Sequence, residues 1–436
     1  MLILHLSDIH FRAPQCNTDY DPNRSYRTRM VQSVREFTAT LGPVDVILVS
    51  GDIAYCADPS EYRAALAWLN ELAKDCRCPR ECIYVVPGNH DVDRGIIAQK
   101  RSIQNAQEQI RVIAPAKRQG EVQAQFRDPA VGKALLEPLS AYNDFAKEFN
   151  CQVYASERMF WRQELPLGGG VTLRLYGLTS TLLSGAVTNP NQNDVKGSLY
   201  LSPWQTAIDP ADNVVNLVMA HHPPDWLMDH EAVDDAINGG AALHLFGHKH
   251  RLRAARETHQ YMRLQAGALN PDVNEPGWQP AYNLIKLNVT GGGAERCLDI
   301  EAYLMEFQSN PDRYRHKQDH DGSDIWCHRV RIPGSSVPAP VQAAGLEPQI
   351  VAPAEAPAPP KVDAEVVMSE QSSRRLVLSW WQLPMHARRE IALKLDLISE
   401  DEIALPEAER YGRALMRAGE RGMLEQLGEE IATWQK

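Results

Sequence analysis

The chain has 436 residues, 44% of them hydrophobic and 23% charged, with 45 Lys and Arg against 56 Asp and Glu for a net charge of −11. That length asks for more than one core, and the acidity argues against a protein that coats duplex DNA or an anionic membrane. No run approaches the roughly eighteen apolar residues of a membrane span, and eight cysteines spread over so long a chain do not read as a disulfide framework, so a reduced, cytoplasmic protein is expected.

The opening MLILHLSDIH is too short and too polar for a signal peptide and reads as a first core strand. Short apolar runs follow it: VDVILVS, CIYVVP, TLRLYGL, NVVNLVMA and ALHLFG. Between the first of them lie YRTRMVQSVREFTATL and SEYRAALAWLNELAKD, with apolar residues at helical spacing. Alternation of this kind predicts an α/β fold, a layered sheet with helices outside. Residues 96–165 are mostly polar and helical in pattern, an insertion long enough to cap a site. Farther on, YMRLQAG, YNLIKLNV and CLDIEAYLME have fewer helices between them and predict an antiparallel second sheet.

Composition then shifts. Residues 332–368 are rich in Pro and Ala, nearly uncharged, and suited to a semi-rigid linker that buries no core. The expected organisation is a catalytic domain over 1–331, this linker, and a small α-helical bundle over 369–436. Four helical segments are expected in the last part, with Pro384 and Pro406 in first turns and Gly422 between the final two. Neither folded part is basic.

Polar clusters stand where the predicted strands end: Asp8 and His10; Asp52; Asn89, His90 and Asp91; His221 and His222; His248 and His250. Strand ends are where ligand sites form in open α/β sheets, and Asp, Asn and His are the donors suited to first-row metals. Asp8 and His10, two residues apart, point the same way from an extended segment, and His248 and His250 repeat the arrangement. Gly51, Gly88 and Gly247 are expected to make tight turns just before donors, and Asp52 is the natural bridge between two metals about 3.5–4 Å apart. A lone His after a strand is more often a packed or surface residue, but five such clusters in order weigh the other way. The three thiols of CRCPREC (Cys76, Cys78, Cys82) lack a fourth ligand at clear spacing and read as a reduced loop rather than a zinc site.

The ordered set DIH, GD, GNHD, HHPP and GHKH resembles the signature of the calcineurin-like metallophosphoesterase superfamily over residues 1–305, and HLSDIHF, SGDIAY and VPGNHDVDR resemble its class III cyclic-nucleotide phosphodiesterases. The resemblance implies a double β-sandwich flanked by helices and two divalent transition-metal ions (Mn, Fe or Zn). It assigns Asp8, His10, Asp52 and His250 to one ion, and Asp52, Asn89, His221 and His248 to the other. His221 is preferred to His222 by its place before Pro223, which leaves His222 to the substrate side. His90 takes the role of the catalytic acid beside the phosphate, with Asp91 orienting it. Arg12 and Arg94 are candidates to grip a phosphate oxygen, and Tyr55 and Trp226 to stack a base.

The expected activity is metal-dependent hydrolysis of phosphodiester bonds in cyclic or small linear nucleotides, with no membrane partner. A metal-dependent nuclease is the alternative, but it wants a basic track that the composition does not offer. A non-catalytic signalling scaffold is disfavoured because every ligand position is filled. The departures of SGDIAYCAD and GNHD from the Ser/Thr phosphatase pattern set that substrate class aside. The C-terminal segment, through W-x-x-L-P, R-R-E-I-A and R-A-x-E-x-G-x-L, loosely resembles helical adaptor modules of bacterial conflict-system effectors and GTPase-associated proteins. That resemblance implies a role in bacterial defence or signalling, with a protein partner recruited through 369–436.

Overall fold

The computed structural model describes residues 1–154, 158–185, 194–270, 279–334, 376, 379–381, 383, 385–398, 402 and 407–434. The chain divides into two compact units, Met1–Ser335 and Ser336–Lys436. Most of the residues read as a linker, together with Pro384 and Pro406, lie outside the described residues.

The first unit starts with β1 (Leu2–Leu6), helix α1 (Arg24–Leu41), β2 (Val46–Val49), helix α2 (Pro59–Asp75) and β3 (Ile83–Val85). Each of these strands is buried along its whole length. They pair in parallel, as helical crossovers require. Helix α2 begins on a capping box, with Asp58 accepting from the Ser60 amide, Glu61 at the third helical position and Pro59 at the first.

The chain then leaves the sheet for five helices: α3 (Arg94–Gln99), α4 (Arg101–Val112), α5 (Pro115–Arg127), α6 (Pro129–Leu136) and α7 (Ser140–Ala146). The expected range 96–165 is helical only as far as residue 149. Residues 160–165 belong instead to β4 (Phe160–Gly168), whose exposed Arg162 and Glu164 alternate with buried Trp161, Gln163 and Leu165.

A second sheet follows from β4, β5 (Val171–Leu178), β6 (Val214–Ala220), helix α8 (His230–Gly240), β7 (Leu243–Phe246), β8 (Arg253–Glu257) and β9 (Tyr261–Gln265). Its strand order is β4-β5-β6-β7-β9-β8. The late strands β10 (Ala281–Thr290), β11 (Cys297–Gln308), β12 (Arg313–His316) and β13 (Trp326–Arg331) return to the first sheet. There β10 adds antiparallel to β1, and β11 pairs with β10, β12 and β13.

The expectation that the three late runs form the second sheet together is therefore corrected. YMRLQ lies parallel to β7, and the other two extend the first sheet. Hydrophobic pattern marks a strand but not its partner, and here β10 is apolar enough to lie beside the buried β1. One continuous core spans both sheets, including Leu4, Ile47, Leu217, Leu245 and Leu284.

In the second unit the described residues include three helices, α9 (Met385–Lys394), α10 (Glu407–Glu420) and α11 (Leu424–Trp434), and residues 376 and 379–381 are helical as well. Trp380, Ile391, Tyr411, Leu427 and Ile431 form a separate core. The carboxylate of Glu402 receives both arms of Arg417, each at 2.7 Å. Gly422 has φ +67° between α10 and α11, the left-handed turn that ends a helix most cheaply in glycine.

Candidate metal centre

The strand ends converge as their spacing suggested. Asp8 and His10 follow β1, Asp52 follows β2 and Asn89 follows β3, all from the first sheet. His221 follows β6, and His248 and His250 follow β7, from the second. Asp8, His10, Asp52 and His250 each offer a ligand atom within 4.8 Å of the others. His250 Nε2 lies 3.0 Å from Asp8 Oδ1. Asp52 Oδ2 stands between two imidazoles, 3.3 Å from His10 Nε2 and 3.2 Å from His221 Nε2. Asn89 Oδ1 lies 3.1 Å from His221 Nε2 and 2.9 Å from His248 Nδ1. Asp52 thus joins the two expected donor sets.

Backbone geometry marks the same residues. Asp8, His10, Asp52, His248 and His250 all have φ between 49° and 67°, a region that costs a non-glycine residue about 1 kcal/mol or more and concentrates at functional sites. The glycines act differently from expectation. Gly51 does turn, at φ +94°, but Gly88 has an ordinary φ of −104° and Gly247 is not left-handed either. Their service is space: a methyl group on Gly88 would collide with the Asp52 carboxylate, and one on Gly247 with Ser7 Oγ.

The surroundings orient the donors. The His221 Nδ1–H donates to the Ser50 carbonyl at 2.8 Å, which reserves Nε2 for the centre. Burial works to lower the His221 pKa, but the charge of Asp52 overcomes it and pushes the value up to about 9. Burial likewise opposes the charge on Asp52, yet His221, His90 and His10 hold its carboxyl well below the usual range. His248 is pulled down to about 3 by burial and by His221.

Asp8 and Asp52 are buried carboxylates that meet the amides of His248 and His90 and otherwise imidazoles, with no Lys or Arg against them among the described residues, a setting that bound cations would complete. The oxygen and nitrogen donors fit divalent Mn, Fe or Zn, so the residues present suit the expected pair of ions.

His90 sits beside this set, its ring centroid 4.9 Å from that of His10. Its Nδ1–H donates to the Tyr55 carbonyl at 2.7 Å and its amide to Asp52 Oδ1 at 2.8 Å. Burial lowers its pKa, with Asp52 pulling the other way. The carboxylate of Asp91 is taken up by the amides of Ile53, Ala54 and Gly88 and by the Tyr62 hydroxyl. It ties the β2 and β3 loops together, while the His90 ring is held by Tyr55.

His222 is buried, its Nδ1 2.9 Å from Ser180 Oγ and its Nε2 4.0 Å from Asp194. Arg12 is exposed and stacks over the Tyr55 ring at 3.9 Å. Arg94 is half-buried and flanks Gly185. Trp226 meets the His248 ring edge-on at 3.9 Å. The thiols of Cys76, Cys78 and Cys82 are shielded by burial, which pushes Cys76 up to about 11 and Cys82 up to about 12. Among the described residues they form no metal-binding group.

A cleft of about 500 Å³ opens on Asp52, Asn89, His90, His248 and His250, with Lys196, Lys249, Arg251 and Arg253 at its rim. A larger groove of about 820 Å³ lies between α1 and α2, but it holds none of the donors, and three of its arginines pair with Asp19, Asp21 and Asp75.

Sequence reasoning missed two contributions. The rim cations were one, although Arg-Leu-Arg directly after GHKH signals a strand with both arginines on one side. Glu61 was the other. Its buried carboxylate accepts from the amides of Ala13, Tyr55, Cys56 and Asp58, and D-P-S-E was a legible capping box.

Residues 1–252 match the family model described as calcineurin-like phosphoesterase, and residues 372–433 match that of a GTPase-associated adaptor domain. No curated protein gives a significant match. Among similar solved structures, a dimetal phosphatase from Danio rerio is 12% identical, with 72% of this chain and 98% of that one covered and a TM-score of 0.39. Vps29 from Chaetomium thermophilum is 11% identical, with 76% and 100% covered and a TM-score of 0.28. A purple acid phosphatase from yellow lupin (Lupinus luteus) seeds is 10% identical, with 79% and 57% covered and a TM-score of 0.37. Among the described residues no helix is long and apolar enough to cross a membrane.

Proposed function

Because the chain belongs to the calcineurin-like phosphoesterase family, we propose that it hydrolyses phosphodiester bonds in cyclic or small linear nucleotides, and that its C-terminal adaptor domain recruits a protein partner in a bacterial signalling or defence system. The observation that carries the catalytic part is Asp52, set between His10 and His221 beneath a cleft with a cationic rim.

Asp8, His10, Asp52 and His250 would hold one divalent ion, and Asp52, Asn89, His221 and His248 the other. When bound, such a pair supplies Lewis-acid charge and an activated water. The chain's own residues do the rest. The Tyr55 carbonyl takes the Nδ1–H of His90, so the proton available to the departing alkoxide is the second one, on Nε2 of the charged imidazole, a form that burial opposes and the Asp52 charge favours. Asp91 is a positioning residue that locks the turn carrying Asn89 and His90 against the β2 loop. Arg12 and Arg94 would steer substrate from the margins of the centre, and His222, buried beside His221 and His248, would support it from beneath.

The test is manganese-dependent hydrolysis of bis(p-nitrophenyl) phosphate by the wild type, Asp52→Ala and Asn89→Ala. Turnover by the wild type and a loss of about a thousandfold or more in the variants, worth ~4 kcal/mol of barrier, is expected. Absence of both bound metal and turnover in the wild type sinks the enzyme reading. A panel of cyclic nucleotides, linear dinucleotides, single-stranded DNA and duplex DNA then ranks substrates, and preferred degradation of long duplex DNA would favour the nuclease.

A further inference from the structure

The cleft does not end at the metal centre. A second hollow of about 510 Å³ shares His250, Arg251 and Arg253 with the first, so the two join along the segment that leaves His250. In that segment Arg251 is exposed, Leu252 is buried and Arg253, the first residue of β8, is exposed. Side chains alternate along an extended chain, so Leu252 anchors the strand and both arginines stand on the same outer side. The described β8 lies at the end of its sheet, paired with β9.

The charges nearby are unequal. Lys196 and Lys249 share Asp225, at 2.9 and 2.8 Å. In the second hollow Glu306 is met by Arg315 at 2.9 Å and Lys317 at 3.8 Å. The side chains of Arg251 and Arg253 have no ion pair or hydrogen bond among the described residues. Two guanidinium forks left over beside a phosphate-cleaving centre are matched by another phosphate.

Building on the phosphodiesterase reading, we propose that Arg251 and Arg253 bind a second phosphate of a linear nucleotide chain, one link away from the phosphate that is cleaved. A cyclic mononucleotide carries a single phosphate and leaves this compartment unfilled. A dinucleotide with a terminal phosphate, or a short single strand, fills both.

The experiment compares the manganese-loaded wild type with Arg251→Gln/Arg253→Gln on thymidylyl-thymidine with no terminal phosphate, a 5′-phosphate or a 3′-phosphate. The wild type is expected to prefer one phosphorylated form by about tenfold in kcat/KM, and the double variant to lose that preference. A wild type indifferent to both terminal phosphates, or a variant that keeps the preference, overturns the proposal. Binding of a labelled oligothymidylate to metal-free protein, followed by fluorescence polarisation against salt, gives a second readout. Each arginine removed should reduce the slope of log K on log salt by about 0.7, and an unchanged slope overturns the proposal. Failure to cleave any phosphodiester would refute the enzymatic reading alone, because the polarisation measurement still decides the role of the arginines.

Discussion

Glu61 holds Ala13 across 48 residues of sequence: its Oε1 accepts the Ala13 amide at 2.9 Å, while Oε2 takes the amides of Tyr55 and Cys56 at 3.0 and 2.9 Å. One buried carboxylate thereby fastens the loop after His10 to the loop after Asp52. Glu61→Gln turns one acceptor into a donor facing an N–H and should cost about 2–3 kcal/mol in urea unfolding. Manganese affinity measured by calorimetry should fall with it. Retention of both would show that the loops hold themselves.

His90 and Asp91 are neighbours with separable effects. His90→Asn should lower kcat by about a hundredfold or more with bound metal unchanged, the usual worth of a placed acid. Asp91→Asn leaves some of its four buried donors unmatched and should lower stability by about 1–3 kcal/mol. Metal analysis beside thermal unfolding separates the two outcomes, and equal loss of metal in both variants would contradict the assignment.

Metal loading is expected to expel a proton. His221, pushed up to about 9 by Asp52, must be neutral to ligate. Below that pH, affinity should fall about tenfold per pH unit for one proton released. Calorimetric titration with manganese in buffers of different ionisation enthalpy reads the proton count. Free ion at a hundred times Kd should also stabilise the fold by about 2.7 kcal/mol over chelated protein.

Gly88→Ala keeps every donor and should still empty the centre, since the added methyl displaces the Asp52 carboxylate. Overpacking of this kind costs about 1–3 kcal/mol. Gly120→Ala is the control: it lies within α5 with nothing inside 4 Å of the added carbon, and should gain up to about 1 kcal/mol. Full metal content in Gly88→Ala would show that the carboxylate has room to move.

Trp380 is fully buried, with its indole N–H donating to the Tyr411 carbonyl at 3.2 Å. Trp380→Ala should cost the second unit about 3–5 kcal/mol while leaving hydrolysis of bis(p-nitrophenyl) phosphate at the wild-type rate. Loss of that hydrolysis would mean that the two units depend on each other.

The donor set was legible because each member follows a strand buried along all or nearly all of its length, where the apolar run is loudest and a polar residue stands out. The helices of residues 94–146 were legible for the same reason at a longer period. Other elements were not. β8 reads RAARE and owes its place to pairing with β9 rather than to apolar pattern. β4 was hidden in a polar stretch because its outward positions are Arg162 and Glu164. The left-handed conformations of Asp8, His10, Asp52, His248 and His250 left no mark on composition at all, since the surrounding contacts impose them on residues that would otherwise avoid them.

The centre draws Asp8, His10, Asp52 and Asn89 from one sheet and His221, His248 and His250 from the other. Any slide of one sheet over its neighbour would therefore displace four of the proposed ligands relative to the other three. Ion affinity becomes a gauge of registry between the layers, sensitive to fractions of an ångström. Substitutions deep between the sheets, at Leu4 or Leu245 for example, would then announce themselves as changes in metal retention before any change in fold content is visible.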